Sequence, residues 1–215
     1  MRILDTILNI IFPVNCIVCE KSGEDLCMLC LSDFPSAERE TSSWVFPIFD
    51  YRDKNVKKAI WMLKYKGKKR LADIFGIVMY GRILEELGEL DLMANFKKPI
   101  LIPIPLSKTR QKERGYNQTE LICRKIMNLG EKNLEYQKNV LIKIRETEHQ
   151  ARIEDKRKRL LNLIDSFGVI NEELIKGRNI ILLDDVTTTG TTLKEAKKVL
   201  KNAGAKKIIA FTLAH

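Results

Sequence analysis

The 215-residue chain lacks several features that would assign it to a common functional class. It contains no run of about 18 apolar residues, so we expect no membrane-spanning helix. It also has no internal repeat and no low-complexity segment. The G-x-x-x-x-G-K-[ST] loop of nucleoside triphosphatases is missing, because Gly67-Lys68 is followed by Lys69. With only two histidines, His149 and His215, the chain offers few general bases for catalysis.

Aromatic residues are scarce, at 7% of the chain, which limits the ways in which it could stack nucleic-acid bases. The nearest candidates for stacking are Trp61, Tyr65 and Tyr116. Trp61 and Tyr65 stand four residues apart on a predicted helix and bracket Lys64. Because large apolar groups at helical spacing more often pack in a core, we favour burial for this pair.

Acidic residues are fewer than basic ones. The chain has 38 Lys and Arg but 28 Asp and Glu, which gives a formal net charge of +10. The excess is regional, because residues 97–159 contain 17 Lys and Arg but only 8 Asp and Glu. A basic region attracts phosphates, nucleic acid or an anionic membrane surface. A solvated lysine-rich surface with no specific partner is the alternative.

The N-terminal segment MRILDTILNIIFPV is apolar but is broken by Asp5 and Asn9. Its Ile and Leu residues recur at helical spacing, which predicts a short docking helix. It does not read as a signal peptide, because no small-residue cleavage site follows it. We therefore expect the protein to be cytoplasmic.

Four of the five cysteines form the pattern C-x2-C-x7-C-x2-C, which predicts a metal site. Two Cys-x-x-Cys knuckles, with Gly23 helping the turn between them, can complete a tetrahedral shell of four sulfurs, which suits zinc. With no open position left, the site would be structural. Iron is an alternative, and a reducing cytosol disfavours two disulfides. Cys123 falls on an apolar helix face and is predicted to be a small buried hydrophobe. The predicted ligands are Cys16, Cys19, Cys27 and Cys30.

Hydrophobic periodicity divides the chain into three segments. Residues 1–43 hold the docking helix, the four cysteines and a polar linker, and residues 44–98 form a helical, hood-like segment. In residues 99–215 strands alternate with helices, which predicts an α/β core with a mostly parallel sheet. The run NIILLDD (residues 179–185) is apolar up to its two aspartates and predicts a strand covered on both faces.

The stretch IILLDDVTTTGTTLKEA (residues 180–196) combines two adjacent carboxylates with a threonine-rich turn. Ligands of α/β sheets bind beyond the carboxyl ends of strands, which is where Asp184 and Asp185 fall. The turn enters a predicted helix, so its backbone N–H groups, its hydroxyls and Gly190 form a cradle for a phosphate. The two carboxylates can accept hydroxyl groups, and a phosphate beside a diol describes a ribose 5-phosphate.

Two other interpretations of this stretch are weaker. Helix capping alone needs one such residue rather than seven, although a capping box at Thr192–Glu195 does place the helix start at Thr192. The end of a Walker B strand, with an aspartate on magnesium, requires the phosphate loop that the chain lacks.

The stretch also resembles the phosphoribosyl pyrophosphate (PRPP) motif of type I phosphoribosyltransferases: a hydrophobic strand, two acids and a Thr/Gly loop. Other segments are similar to the ComF family, which is associated with bacterial DNA uptake in natural competence. They are the four-cysteine N-terminus, LKYKGKKRLA (residues 63–72), PIPLSKTRQKERGYNQ (residues 103–118) and the pattern Arg145…Gln150…Arg159…Asn162…Phe167. The resemblance covers essentially the whole chain. It implies a type I phosphoribosyltransferase fold with a small N-terminal zinc module.

The resemblance implies roles for individual residues. Asp184 and Asp185 would contact the ribose 2′ and 3′ hydroxyls, and residues 145–159, a long polar stretch, would close as a lid. Arg145 would bring positive charge to the leaving group, while His149 is either catalytic or an ordinary surface residue. The implied 5′-phosphate loop consists of Thr187, Thr188, Thr189, Gly190, Thr191 and Thr192. The implied loop for pyrophosphate and magnesium consists of Pro103, Ile104, Pro105, Leu106 and Ser107, followed by Arg110 and Arg114.

The implied chemistry is displacement at ribose C1, in which pyrophosphate leaves as positive charge builds on the sugar. The sequence shows no acceptor pocket, so turnover is left open. Our hypothesis is a PRPP-binding protein that handles imported single-stranded DNA, with a protein of the competence machinery as a candidate partner. The alternatives are an active phosphoribosyltransferase of nucleotide metabolism or salvage, and a structural adaptor, which would need no phosphate cradle.

Overall fold

The structure, a computed structural model, describes residues 14–38, 42–130, 134–144 and 166–215. A parallel five-stranded sheet, in the order β1-β7-β6-β2-β3, forms its centre, and an antiparallel pair, β4-β5, lies apart from it. The strands are β1 (Val45–Phe49), β2 (Ile100–Pro103), β3 (Glu135–Tyr136), β4 (Leu141–Lys143), β5 (Phe167–Val169), β6 (Ile180–Val186) and β7 (Ile208–Ala214). The mostly parallel sheet predicted from the sequence is confirmed.

Helices cover the sheet and connect its strands. They are α1 (Met28–Ser32), α2 (Lys54–Tyr65), α3 (Leu71–Ala94), α4 (Lys108–Arg114), α5 (Gln118–Leu129) and α6 (Thr191–Asn202), with a 3₁₀ turn at Glu172–Leu174. One feature was not expected from the sequence, the short helix α4. Because α4 is a short, strongly charged helix without a buried residue, it carries no apolar periodicity.

The continuous apolar run of β6 is explained by burial on both faces of the sheet. Ile181 and Leu183 pack into one core with residues of α2, α3 and α5, whereas Ile180 and Leu182 pack into a second core with residues of α6. The sheet is therefore the middle layer of three. The buried Cys123 belongs to the first core, as predicted for a small hydrophobe.

Local capping fixes α2, which reaches the edge of the site described below. Asp53 begins the helix by accepting hydrogen bonds from the backbone N–H groups of Asn55 and Val56, at 2.8 and 2.9 Å. Ile60 and Leu63 face the core. Trp61 and Tyr65 consequently fall on the exposed face of the helix, and Lys64 lies at the edge of the buried face.

The three segments distinguished in the sequence share one hydrophobic core. β1 pairs in parallel with β7, and the cysteine-containing module packs Leu26 and Leu31 into the same core as α2 and α3. Lys68 Nζ lies 2.8 Å from Asp25 Oδ1 and ties this module to the loop after α2.

The predicted N-terminal docking helix lies outside the described residues. Within the described ranges, no helix has both the length and the hydrophobicity needed to cross a bilayer.

Candidate functional site

The candidate site is a cavity of about 350 Å³ at the carboxyl end of the sheet. β2 and β6 lie side by side there, with Pro103 opposite Leu183. The chain continues from β2 to β3 on one side and from β6 to β7 on the other, so the crevice between β2 and β6 is the topological switch point. Open α/β sheets bind their ligands at such a crevice.

Asp184 and Asp185 line this cavity from the end of β6. Asp185 is only 6% exposed, and Asp184 is half-buried and accepts the backbone N–H of Asp185 at 2.8 Å. Burial, and then the charge of Asp185, raise the pKa of Asp184 to about 7, although Lys64 and Lys143 act in the opposite direction. Near neutral pH the two acids therefore carry fewer than two full negative charges.

Both carboxylate oxygens of Asp185 have partners. Lys64 Nζ lies 2.7 Å from Oδ1, and Gln118 Nε2 donates to Oδ2. Gln118 Oε1 accepts from Arg114 Nη1 at 2.9 Å, and Arg114 Nη2 donates to the Tyr65 hydroxyl at 3.1 Å. Since Lys64 and Tyr65 are neighbours in α2, these contacts form a closed ring, the Asp185 network. The network joins three sequence motifs that are far apart in the chain.

The threonine-rich turn enters α6 as predicted, but the predicted capping box is wrong. The helix begins at Thr191 and its N-cap, Gly190, supplies no side-chain cap, although the Thr189 hydroxyl accepts the N–H of Thr191 at 3.4 Å. Gly190 has φ of 69°, a conformation that favours glycine. Because the N-cap glycine has no side chain that could accept them, the other N–H groups of the first turn are left for an anion.

The threonines of the turn take different positions. Thr188 and Thr192 line the cavity, whereas Thr187 is buried. The hydroxyls of Thr189 and Thr191 are bonded to each other at 2.7 Å. The turn thus presents two threonine side chains to the cavity on the same side as the uncapped helix start.

The predicted pyrophosphate loop lies across the cavity, at the end of β2. Pro103 ends the strand, and Ser107 begins α4 by accepting the backbone N–H of Arg110 at 3.3 Å. Five residues predicted for this loop line the cavity: Ile104, Pro105, Leu106, Arg110 and Arg114.

The segment 44–98 contributes lining residues that were not assigned to this site from the sequence: Tyr51, Trp61, Lys64 and Tyr65. Trp61 and Tyr65 are 47% and 46% exposed, so the interpretation of this pair as core residues is wrong. Tyr116, by contrast, is buried and its hydroxyl donates to the Leu63 carbonyl, so it cannot stack a ligand. The sequence could have predicted this exposure. The spacing of Ala59, Ile60 and Leu63 already defines the buried face of the helix, and Trp61 and Tyr65 lie outside it.

Gln118 and Lys143 also line the cavity and were not assigned from the sequence. Arg145, His149 and the rest of the predicted lid (residues 145–159) lie outside the described residues, so their roles stay predictions.

The four cysteines converge on one point, as the spacing predicted. The sulfurs of Cys16, Cys19, Cys27 and Cys30 lie within 4.8 Å of one another, and Cys19 Sγ is 3.7 Å from Cys27 Sγ. A tetrahedral shell with metal–sulfur bonds of about 2.3 Å places sulfurs about 3.8 Å apart. All four are free thiols, and the connecting loop turns at Gly23 with φ of 126°. The arrangement could hold a metal ion.

Backbone N–H groups favour the thiolate form at Cys16. Burial raises the pKa of this thiol, but the N–H groups of Cys19, Cys27 and Val18 outweigh burial and lower its pKa to about 6. A thiolate is the form that binds a cation.

Comparison with known proteins supports this description of the fold. The profile of the phosphoribosyl transferase domain matches residues 131–215, which include the two acids and the threonine-rich turn. Competence protein F of Haemophilus influenzae is 34% identical over 53% of this chain and 49% of its own length. Competence protein ComFC of Bacillus subtilis is 29% identical over 77% of this chain and 62% of its own length. The chain thus spans about half to three fifths of these relatives.

Among solved structures, a glutamine PRPP amidotransferase from B. subtilis matches 74% of this chain and 30% of its own, at 12% identity and a TM-score of 0.44. That likeness is too distant to support an argument about the site. The fold assignment rests on the parallel strand order and the domain profile. The chain is similar to competence proteins of the ComF family and has a phosphoribosyltransferase-like fold.

Proposed function

We propose that the cavity between β2 and β6 binds PRPP together with magnesium, and that the protein handles imported single-stranded DNA in natural competence. The observation that carries the proposal is the meeting of Asp184, Asp185 and the uncapped start of α6 in one cavity at the switch point. A diol and a phosphate, the two recognition elements of a ribose 5-phosphate, each have a matching group there.

The 5′-phosphate would lie against Thr188, Thr192 and the first-turn N–H groups of α6, where the helix dipole favours an anion. The pyrophosphate would extend toward Arg110 and Arg114 at the end of β2. This orientation places the leaving group on the cationic side of the cavity, where positive charge stabilises it.

The two acids differ in how freely they could bind the ribose diol. Asp184 is the less engaged of the two, whereas Asp185 is held by Lys64 and Gln118. Binding of the diol and its magnesium to Asp185 would therefore displace Lys64 or share the carboxylate with it. The cation also lowers the pKa of Asp184, so both acids would be ionised in the complex.

For the four-cysteine cluster we propose structural zinc. The spacing of the sulfurs fits a tetrahedral thiolate shell, and four protein ligands leave no position for a substrate. The metal would fix the module against α2 and α3 through the core they share. Free thiols at this site are consistent with a reducing compartment such as the cytoplasm.

The DNA role is supported by the relatives and by charge. The two relatives are named competence proteins, and the net charge of +10 favours binding of a polyanion. A phosphoribosyltransferase active in nucleotide metabolism is the second candidate. It is favoured by one observation, the position of Arg110 and Arg114 where a departing pyrophosphate would need cations.

Calorimetry with PRPP and magnesium tests the binding proposal. We expect saturable binding that is lost in Asp184→Asn and Asp185→Asn and retained in Asp73→Asn, whose side chain is 61% exposed elsewhere on the protein. Equal affinity in all four proteins would contradict the site. A screen of nucleobases and amines for pyrophosphate release then separates the two candidates, since only the enzyme consumes PRPP.

A further inference from the structure

Two exposed aromatic rings at the mouth of the cavity are left unexplained by a sugar-phosphate site. Trp61 and Tyr65 lie one helical turn apart on α2, each nearly half-exposed, with ring centroids 6.3 Å apart and planes inclined by 48°. Because the ring planes are inclined to each other, a base cannot insert between them. The two rings instead form an angled platform whose outer faces are exposed to solvent.

Cations accompany both rings. Lys66 Nζ lies 5.0 Å from the centre of the Trp61 ring, and the Arg114 guanidinium lies 4.7 Å from the centre of the Tyr65 ring. Arg114 is held in place by its bonds to Tyr65 and Gln118. Aromatic faces flanked by Lys and Arg are the combination with which proteins bind single strands, because bases stack and phosphates pair with the cations.

The platform and the acids belong to one cavity. Trp61 and Tyr65 line it together with Asp184 and Asp185, and the Asp185 network connects Tyr65 to Asp185 through Arg114 and Gln118. A flat group on the platform would thus lie beside the sugar site, where Trp61 and Tyr65 are the most exposed aromatic side chains among the described lining residues.

We propose that Trp61 and Tyr65 stack an unpaired base of single-stranded DNA, while Lys66 contacts the flanking phosphate. This inference rests on the proposed function, because it adds the DNA contact to the cavity proposed for PRPP. The base occupies the rim and the sugar phosphate the interior. Double-stranded DNA does not fit the platform, because its base faces are already stacked within the duplex.

Fluorescence of Trp61 provides the test, since Trp44 is the only other tryptophan. Trp44 packs against the second core beneath Lys197, so Trp44→Phe leaves Trp61 as the sole reporter without touching the platform. We titrate this variant with a thymidine oligonucleotide and with an abasic oligonucleotide of equal length. Stacking predicts that the thymidine strand quenches the Trp61 fluorescence. It also predicts that the abasic strand binds about tenfold more weakly, or more weakly still.

Matched variants in the same background assign the contact. Tyr65→Ala should weaken thymidine binding about tenfold, whereas Tyr65→Phe, which keeps the ring and loses only the hydrogen bond from Arg114, should weaken it much less. Lys66→Gln should weaken binding and flatten its salt dependence more than Lys58→Gln, an equal charge change on an exposed residue of α2. Circular dichroism of each variant checks folding.

The outcomes separate this inference from the proposed function. Equal affinities for the thymidine and abasic strands, or undiminished thymidine binding by Tyr65→Ala, would overturn the platform. So would a loss of binding in Tyr65→Phe as large as that in Tyr65→Ala, since the hydroxyl rather than the ring would then matter. PRPP calorimetry on the same proteins is an independent measurement. PRPP binding without base stacking would contradict only the aromatic platform. Base stacking without PRPP binding would contradict only the proposed PRPP site.

Discussion

Replacing Asp184 with asparagine should stabilise the protein at alkaline pH while removing ligand binding. Asparagine has nearly the same shape, and its side-chain oxygen can still accept the backbone N–H of Asp185, a bond of 2.8 Å in the native protein. It lacks the charge that is unfavourable in this position. Functional sites often retain such destabilising groups, because the ligand needs them.

The size and pH range of the effect follow from the pKa of Asp184, which burial and the Asp185 charge raise from 3.8 to about 7. Between these values the folded protein holds a proton that the unfolded chain has lost, so native stability falls as the pH rises. A shift of about three pKa units corresponds to about 4 kcal/mol. Asp184→Asn should therefore gain up to about 4 kcal/mol at pH 8 and almost nothing near pH 4.

Urea unfolding followed by circular dichroism at pH 4 and pH 8, with equal metal content, measures this difference. Asp73→Asn is the control, because the Asp73 side chain is 61% exposed, and its stability should change little at either pH. An Asp184→Asn protein that is less stable than wild type at pH 8, or shifted equally at both pH values, would refute the reasoning.

Three further predictions concern the network, the turn and the cysteines. Lys64→Met leaves the buried Asp185 carboxylate without its cation and should cost about 2–4 kcal/mol in urea unfolding, and a second change, Asp185→Asn, should recover part of this loss. Strictly additive losses would contradict the pairing. Gly190→Ala places a side chain at φ of 69° and should cost about 1–2 kcal/mol, with weaker PRPP binding by calorimetry; a protein as stable as wild type would exclude that backbone conformation. Elemental analysis should find one zinc per chain in the wild type and loss of zinc in Cys19→Ser, together with a lower melting temperature; undiminished metal content would show that this cysteine is not a ligand.

The parts of this structure that follow local rules could be predicted from the sequence. The apolar run of residues 180–183 predicts a strand buried on both faces, and the cysteine spacing predicts four converging thiols. The threonine-rich turn was placed correctly at the start of α6, although the cap was not. Gly190 replaced the predicted cap because the turn needs a left-handed residue there, and local pattern alone favoured the capping box.

The remaining parts of the site depend on contacts between segments that are distant in the chain. Nothing local in Lys64 indicates that it meets Asp185, or that Gln118 joins Asp185 to Arg114. These contacts exist because α2 and α5 pack on the same face of the sheet. Trp61 and Tyr65 were assigned to the core from their spacing, but the buried face of α2 was already filled by Ile60 and Leu63.

A crystal structure of the protein soaked with PRPP and magnesium tests the central claim most directly. We predict the 5′-phosphate within hydrogen-bonding distance of Thr188, Thr192 and the first turn of α6, and the ribose hydroxyls at Asp184 and Asp185. The pyrophosphate should point toward Arg110. A phosphate bound elsewhere, or a ligand whose ribose does not reach either acid, would contradict this account of the site.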